Sequence, residues 1–534
     1  MNSPYEHALS EIGSSGKFQK RFDIIYNFIF AAAWVMCYNN ILLILVITPH
    51  HCELPNNPEN ISEDVWKLQH IPKIDNVAGQ TKFSECLIYT NKEKNLTAEC
   101  SQYTFDRTWY ETTIPSENNW VCKNELNVAN IFAYTKLGEI VGSLLFGWFG
   151  DIYGRKPVYI ISLALLVLGR SFSLLAKSSF SLFSIGCILS AFPSWTATQT
   201  TSIISLEISS PQRRSTVAKQ RLVSCALGMC LMPLLYWWLR DWKLFMIVTT
   251  ATQLPFLVFS WKMIESPQWL WINQKYKQCI VQLNIIAKAN RKEMSLETVA
   301  DIRMHPSNTD KTEVFGFLAL FSGSKLALNT ILQLCLWVSV SVNYTAILMT
   351  SGEKSDGNPF WEFAWQSLVE IPGYVVAAWL ADTIGRRYTG ISASALTTFL
   401  WALYSFQETS VTSWLNNGWL RLFMVMVNRI SITIAYYIIN LYNMELYPTC
   451  LRQSGMSLGN VISGGASALA PYILFLGRRF DPRYPGAVLA GISLVLGLMS
   501  TLFLPETLNV TLPATMEDAK KFGGPIFSCC SVTK

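Results

Sequence analysis

The sequence predicts an all-α membrane protein: twelve transmembrane helices in two six-helix halves, with a large extracellular loop domain after the first helix. Three observations lead there. Of 534 residues, 51% are hydrophobic and only 15% charged, whereas a soluble domain carries about 25% charge; the mean hydropathy is +0.26. Apolar runs long enough to cross a bilayer recur along the chain. Charged motifs of the first half recur in the second. These features exclude a soluble enzyme, a disordered chain, a collagen and a coiled coil. Aromatic residues at 13%, with 19 Trp, suit anchoring at membrane interfaces. A net charge of +6, with no basic stripe interleaved with aromatics, excludes a nucleic-acid binder.

The first apolar run covers about 24–47. Lys17, Lys20 and Arg21 precede it and no small-residue cleavage site does, so it reads as a membrane helix and not a signal peptide. Further spans fall at about 128–149, 157–176, 180–205, 218–239 and 244–263. A polar intracellular segment, 264–325, separates them from spans at about 326–349, 361–381, 389–407, 419–443, 454–476 and 486–504. The organisation is thus a cytoplasmic N-terminus (1–23), an N-terminal half (24–263), the intracellular segment, a C-terminal half (326–504) and a cytoplasmic tail (505–534). Lys and Arg set the orientation. Arg155, Lys156, Arg213, Arg214, Lys219, Arg221, Arg386, Arg387 and Arg452 all fall on the side assigned as cytoplasmic, and the central segment adds more. Arg478, Arg479 and Arg483 fall on the outer side against this rule.

Residues 48–127 form the polar loop domain. It carries Cys52, Cys86, Cys100 and Cys122 and two sequons, at Asn60 and Asn95. Cysteines and sequons confined to one loop predict an exported, oxidised and glycosylated segment. Four cysteines allow three pairings, and the sequence does not choose among them. A third sequon, at Asn343, falls within a predicted span and is expected to stay unmodified. Cys529 and Cys530 near the C-terminus form a pair open to lipidation or to no role.

The repeat appears at three places. Gly147–Lys156 closes the second span with Asp151, Gly154 and Arg155; Ala378–Arg387 closes the eighth with Asp382, Gly385 and Arg386, 231 residues later. Glu207 and Arg214 follow the fourth span as Glu445 and Arg452 follow the tenth, offset by 238. Glu265 ends the sixth span and Glu506 the twelfth, offset by 241. The glycines permit a tight turn. The acids and arginines are expected to pair into a cytoplasmic latch, broken and re-formed as the halves rock about a central site; a purely topological role for these charges is the alternative.

The stretch Gly150-Asp-Ile-Tyr-Gly-Arg-Lys-Pro157 resembles the signature loop of the major facilitator superfamily. Thr48-Pro-His-His-Cys52, Trp120-Val-Cys122, Glu265-Ser-Pro-Gln-Trp269, Glu445-Leu-Tyr-Pro-Thr449 and Pro505-Glu-Thr507 narrow the resemblance to the organic ion transporters of solute carrier family 22. It covers nearly the whole chain. It implies the major facilitator fold and a carrier of organic cations, anions or zwitterions, usually in the plasma membrane.

Charge inside a span is costly and marks a functional candidate. Glu370 lies twelve residues before Asp382, about 18 Å along a helix, near mid-membrane. Arg429 lies sixteen before Glu445, about 24 Å by the same rise. The resemblance aligns them with an acid and a base of cation carriers. Glu370 is expected to attract a cationic group, with Arg429 tuning it or binding a carboxylate; a structural ion pair is the alternative. Lys136 and Glu139 share a helix face and read as mutually neutralising, with Arg170 as a further partner. Trp337, Tyr344, Tyr374 and Tyr436 fall on faces shared with these charges and offer cation–π surfaces; packing is the alternative. Gly464 stands where, by the resemblance, cation carriers often place Asp and anion or carnitine carriers Arg. That favours a zwitterionic or overall neutral amine. Pro193-Ser-Trp195 replaces an expected glycine-rich run.

All five His lie outside the predicted spans, which removes helix-borne haem or metal sites. With no P-loop, no ATP is expected, and no cofactor either. The sequence therefore predicts a transporter, not an enzyme. It moves small organic ions by alternating access, with both termini cytoplasmic. An organic anion carrier, a proton- or sodium-coupled zwitterion symporter (with Glu139 or Glu370 as the proton site) and a non-transporting receptor are the alternatives. Oligomeric state is left open.

Overall fold

A computed structural model describes residues 4–54, 63–75, 81–91, 96–176, 179–209, 214–304, 317–350, 357–407, 418–447 and 452–508. Asn60, Asn95, Cys529 and Cys530 lie outside the described residues. The long helices are α1 (Lys17–Ile44), α2 (Leu126–Tyr153), α3 (Arg155–Leu175), α4 (Phe180–Glu207), α5 (Arg214–Leu239), α6 (Trp242–Val258), α7 (Ser324–Thr350), α8 (Pro359–Leu368), α9 (Glu370–Thr383), α10 (Arg386–Gln407), α11 (Gly418–Glu445), α12 (Arg452–Ser467), α13 (Ala470–Arg479) and α14 (Arg483–Phe503). Among the described residues, eight helical stretches are long and apolar enough to cross a membrane.

Prolines explain most of the breaks. Pro372 has no N–H to give the Leu368 carbonyl, and the rod divides at Val369 into α8 and α9. Pro193 interrupts α4 at a turn where Ser194 takes a φ of 50°. There the chain runs so close to α2 that a Cβ on Gly142 would overlap the Phe192 carbonyl. Pro471 follows the turn between α12 and α13. α1 and α14 each contain a π-helical stretch, Asp23–Ile29 and Ser493–Leu498.

Among the described residues, the segment after α1 folds into three antiparallel two-stranded sheets. β1 (His50–Cys52) pairs with β6 (Tyr103–Phe105), β2 (Lys73–Asp75) with β3 (Thr81–Phe83), and β4 (Leu87–Asn91) with β5 (Leu96–Glu99). The disulfides are Cys52–Cys100 and Cys86–Cys122. A short helix, Ile114–Asn118, starts in a capping box of Thr113 and Ser116. The segment is tied to the α5–α6 corner. Tyr236 donates to the Thr112 carbonyl at 2.9 Å, Thr112 to Asp241 at 2.7 Å, and Trp242 Nε1 and Lys243 Nζ to Glu117, each at 2.9 Å.

At that same end the two halves share a core. Phe360 and Phe363 of α8 and Leu348 of α7 pack with Val35, Ile41, Met232 and Tyr236 of the first half. Tyr110 of the loop segment lies 4.6 Å from the Phe360 ring and 5.5 Å from that of Tyr236. Tyr472 donates to Asn130 across the halves at 2.9 Å. At the opposite end, an N-terminal helix, Pro4–Ile12, and the helices Pro267–Ile272, Tyr276–Asn290 and Leu296–Met304 build a second core with α1, α3 and α4. Asn290 clasps the N-terminal strap: its amide donates to the carbonyls of Ile12 and Gly13 and accepts from the Phe18 N–H.

Candidate functional site

Each half carries the same turn, between α2 and α3 in the first and between α9 and α10 in the second. Gly154 and Gly385 take φ of 106° and 95°, a region open to glycine at no steric cost. A Cβ on either would also strike a carboxylate, Glu265 at 2.5 Å or Glu506 at 2.6 Å. Those carboxylates cap the next helix. Glu265 accepts from Arg155 N at 2.8 Å and Lys156 N at 3.1 Å; Glu506 accepts from Arg386 N at 2.9 Å and Arg387 N at 3.0 Å. An anion on helix-initial N–H groups is doubly favoured, by hydrogen bonds and by the helix dipole. The parallel extends outward. Ser266 donates to Glu207 and Thr507 to Glu445. Arg155 donates to the Gly150 carbonyl at 2.6 Å and Arg386 to that of Ala381 at 3.0 Å. Arg386 also pairs with Glu445 at 3.1 Å and Asp382 at 3.4 Å. Each of these contacts joins helices of one half, where the sequence led us to expect a latch across neighbouring elements. A carboxylate spent on capping the next helix of its own half builds a rigid corner. The side chains of Asp151, Arg214 and Arg452 lie outside the described residues.

The central charges meet. Arg429, on α11, is fully buried, and its Nε donates to Glu370 Oε1 at 2.7 Å. Glu370 opens α9 at the break caused by Pro372, which sets a carboxylate at the joint of two helices. Tyr344 of α7 donates to the same oxygen at 3.2 Å, Arg429 Nη2 donates to Ser367 at 3.3 Å, and the guanidinium stands 5.7 Å from the Phe363 ring centre. Arg429 Nη1 is buried and, among the described residues, makes no hydrogen bond. The Tyr436 ring stacks on Tyr344 at 6.5 Å and meets Trp337 edge-on at 6.0 Å. Tyr374 follows Glu370 by one turn of α9, on the same side of that helix. The arrangement offers a carboxylate, an orphan guanidinium donor and an aromatic wall in one place. Such a set holds an organic cation by charge and π-face, and an acceptor group beside it.

Gly464 lies on α12 against α2, where a Cβ would stand 3.0 Å from Ile140. Asn343 is buried in α7, its amide donating to the Ser339 carbonyl at 2.6 Å. Lys136 and Glu139 pair at 2.8 Å, with Ser194 of the α4 turn 3.5 Å from Glu139. Arg170 does not join them: it donates to the carbonyls of Cys37 and Tyr38, at 3.2 and 2.6 Å. Backbone acceptors freed near the end of α1 satisfy it, and spacing along α2 gives no sign of them. The sequence reading passed over Ser367, Phe363 and Cys225; Ser367 shows a signal in hindsight, three residues before Glu370. Among the described residues, one His/Cys cluster has metal-like proximity, His50 with Cys86 and Cys122. Those two sulfurs are bonded to each other, so they are not thiolate ligands.

A family model described as "Sugar (and other) transporter" matches residues 90–518. The chain belongs to that family. It is a multi-pass membrane protein of the major facilitator superfamily, similar to solute carrier family 22, and so a transporter and not an enzyme. It is 27% identical to an organic cation transporter protein of Drosophila melanogaster, over 97% of this chain and 95% of the relative. It is 28% identical to solute carrier family 22 member 1 of Bos taurus, over 96% and 92%. It is 25% identical to organic cation/carnitine transporter 2 of Mus musculus, over 97% and 94%. Its fold matches the inward-open xylose transporter XylE of E. coli with a TM-score of 0.58 at 13% identity, covering 93% of this chain and all of that one.

Proposed function

We propose that this chain is a plasma-membrane carrier with twelve spans and both termini in the cytoplasm. It moves small organic ions that carry an amine, cations or zwitterions, by alternating access and facilitated diffusion. The relatives named for organic cation and carnitine transport support the substrate class. The observation that carries the reading is Glu370, a buried carboxylate held by Arg429 and Tyr344 and walled by Tyr436 and Trp337. A buried ion pair gives little net stability, because desolvation offsets its attraction; Arg429 also keeps one donor unused. A structural pair gains nothing from an orphan donor, whereas a ligand with an acceptor would satisfy it. The two disulfides support an extracellular loop domain. The shared core at that end supports a state closed to the outside, in which substrate reaches Glu370 from the cytoplasm.

The test is uptake of labelled organic cations and zwitterions by expressing cells, at two membrane potentials and two pH values, with Glu370→Gln beside the parent. Saturable uptake lost in the variant is the expected result. No uptake of any amine, zwitterion or carboxylate in the parent would overturn the proposal in favour of a receptor.

A further inference from the structure

The second half holds a small polar cavity that the Glu370 site does not use. Its polar walls are Ser339 and Asn343 of α7, Ser394 and Thr397 of α10 and Ser493 of α14, and it leaves about 10 Å³ open, room for one particle the size of a water. Each of these residues is at most 4% exposed. A hydroxyl inside a helix normally turns back to the carbonyl one turn earlier, as Thr398 does to Ser394 at 2.8 Å. The cavity residues behave otherwise. Asn343 Oδ1 and Ser493 Oγ are buried and, among the described residues, make no hydrogen bond. Thr397 donates to Ser431 at 2.9 Å, and Ser431 donates to the Ala393 carbonyl at 2.7 Å. Asn343 Oδ1 and Thr397 Oγ1 therefore have lone pairs to offer the cavity and no proton. A Cβ on Gly497 would stand 2.8 Å from Ser339 Oγ and 3.5 Å from Ser394 Oγ, so those hydroxyls converge on one stretch of α14. That stretch, Ser493–Leu498, is π-helical, a geometry that appears mostly as single turns at functional sites.

Five side-chain oxygens around one small space are more than a water uses, since a buried water makes two to four hydrogen bonds. A small hard cation can take all of them, because neutral oxygens alone can replace an ion's hydration shell. A divalent ion is a poor fit: it draws on carboxylates, and none is among the residues that line the cavity. We infer that the cavity is a binding site for a single sodium ion, held by Asn343 Oδ1 and the hydroxyls of Ser339, Ser394, Thr397 and Ser493. The ion ties α7, α10 and α14 together beside two residues that hold Glu370. Asn343 directly precedes Tyr344 on α7, and Ser431, the partner of Thr397, follows Arg429 by two on α11. The site stands on its own oxygens and does not depend on the substrate class proposed for Glu370.

The test uses the purified full-length protein. Its thermal midpoint is followed as sodium chloride replaces choline chloride at constant ionic strength. A ligand that binds the folded state alone raises the midpoint along a saturating curve, and sodium should do so where choline does not. Ser493→Ala removes an oxygen that has no protein partner, so its midpoint in choline should match the parent's. Its half-saturating sodium concentration should rise about 10-fold or more, the scale of a lost contact to a charged group. Ser394→Ala, at the facing wall, should shift the curve in the same direction, and it keeps the test open if Ser493→Ala does not fold. A midpoint that responds to both salts alike overturns the inference and leaves a cavity that holds water only. A sodium response in both variants equal to the parent's overturns it too, since the ion would then bind elsewhere. Uptake of labelled organic cations plays no part in this readout, so a failure of the proposed function and a failure of the sodium site are told apart.

Discussion

The two halves each carry an acid–base pair within the bundle, and the pairs differ in kind. Lys136 and Glu139 lie three apart on one helix, with side chains 27% and 13% exposed; Arg429 and Glu370 join two helices with side chains 0% and 5% exposed. A pair within one turn forms wherever the helix forms and does little more than neutralise itself. A buried pair between helices exists only in the packed state, and removal of one member strands the other. The largest effect should follow from that difference. Glu370→Ala or Arg429→Ala should each cost about 3–5 kcal/mol, read as a fall in thermal midpoint of the purified protein. Glu370→Ala combined with Arg429→Ala should cost less than the sum of the singles. Additive losses would mean that the two groups do not act on each other.

The corners at Gly154 and Gly385 run the other way, since there the halves agree almost atom for atom. Glu265→Ala and Glu506→Ala should each destabilise by about 1–3 kcal/mol, the cost of leaving helix-initial N–H groups without an acceptor. Gly154→Ala and Gly385→Ala should destabilise more than alanine at an ordinary loop glycine, because positive φ and the carboxylate clash act together. Thermal unfolding of the four variants checks both statements. A large effect in one half with none in the other would break the equivalence of the corners.

How much of this was legible beforehand depends on what kind of signal each residue leaves. Glu370 and Arg429 stood out because charge is rare in an apolar run. The corners stood out because the same letters recur at offsets of 231 and 241. The carbonyl partners of Arg170 leave no trace in side-chain spacing. Four cysteines leave three pairings open, and the folded segment resolves them as Cys52–Cys100 and Cys86–Cys122, although the β4–β5 register sets Cys86 opposite Cys100. Tyr110 sits in a polar loop without periodicity, and nothing in its neighbourhood marks it as part of the core between the halves.

Tyr110 bears on a second contrast, between the end where the halves share a core and the end where they do not. Its ring bridges a segment fixed to the α5–α6 corner and Phe360 of the other half. Tyr110→Ala should remove aromatic contacts of about 0.5–1.5 kcal/mol beyond the area lost. The share made with Phe360 should be lost only from the conformation in which the two halves meet at this end. The expected outcome is faster alkylation, by an impermeant reagent added outside, of a cysteine introduced beside Phe360, with thermal stability little changed. An unchanged rate would show that the loop segment does not help hold the two halves together at this end.

The smallest effect belongs to the pair that opened the comparison. Lys136→Met and Glu139→Gln should each change stability by less than about 1 kcal/mol, since partly exposed pairs gain little over water. Their interest lies in uptake. Glu139 pairs with Lys136 at 2.8 Å, so neutralising it leaves Lys136 as an unopposed cation within the bundle. Uptake of a labelled organic cation should weaken in Glu139→Gln, with that of a labelled zwitterion weakened less. Lys136→Met should shift the ratio in the opposite direction. If both variants shift it alike, the pair acts through packing of α2 and not through its charge.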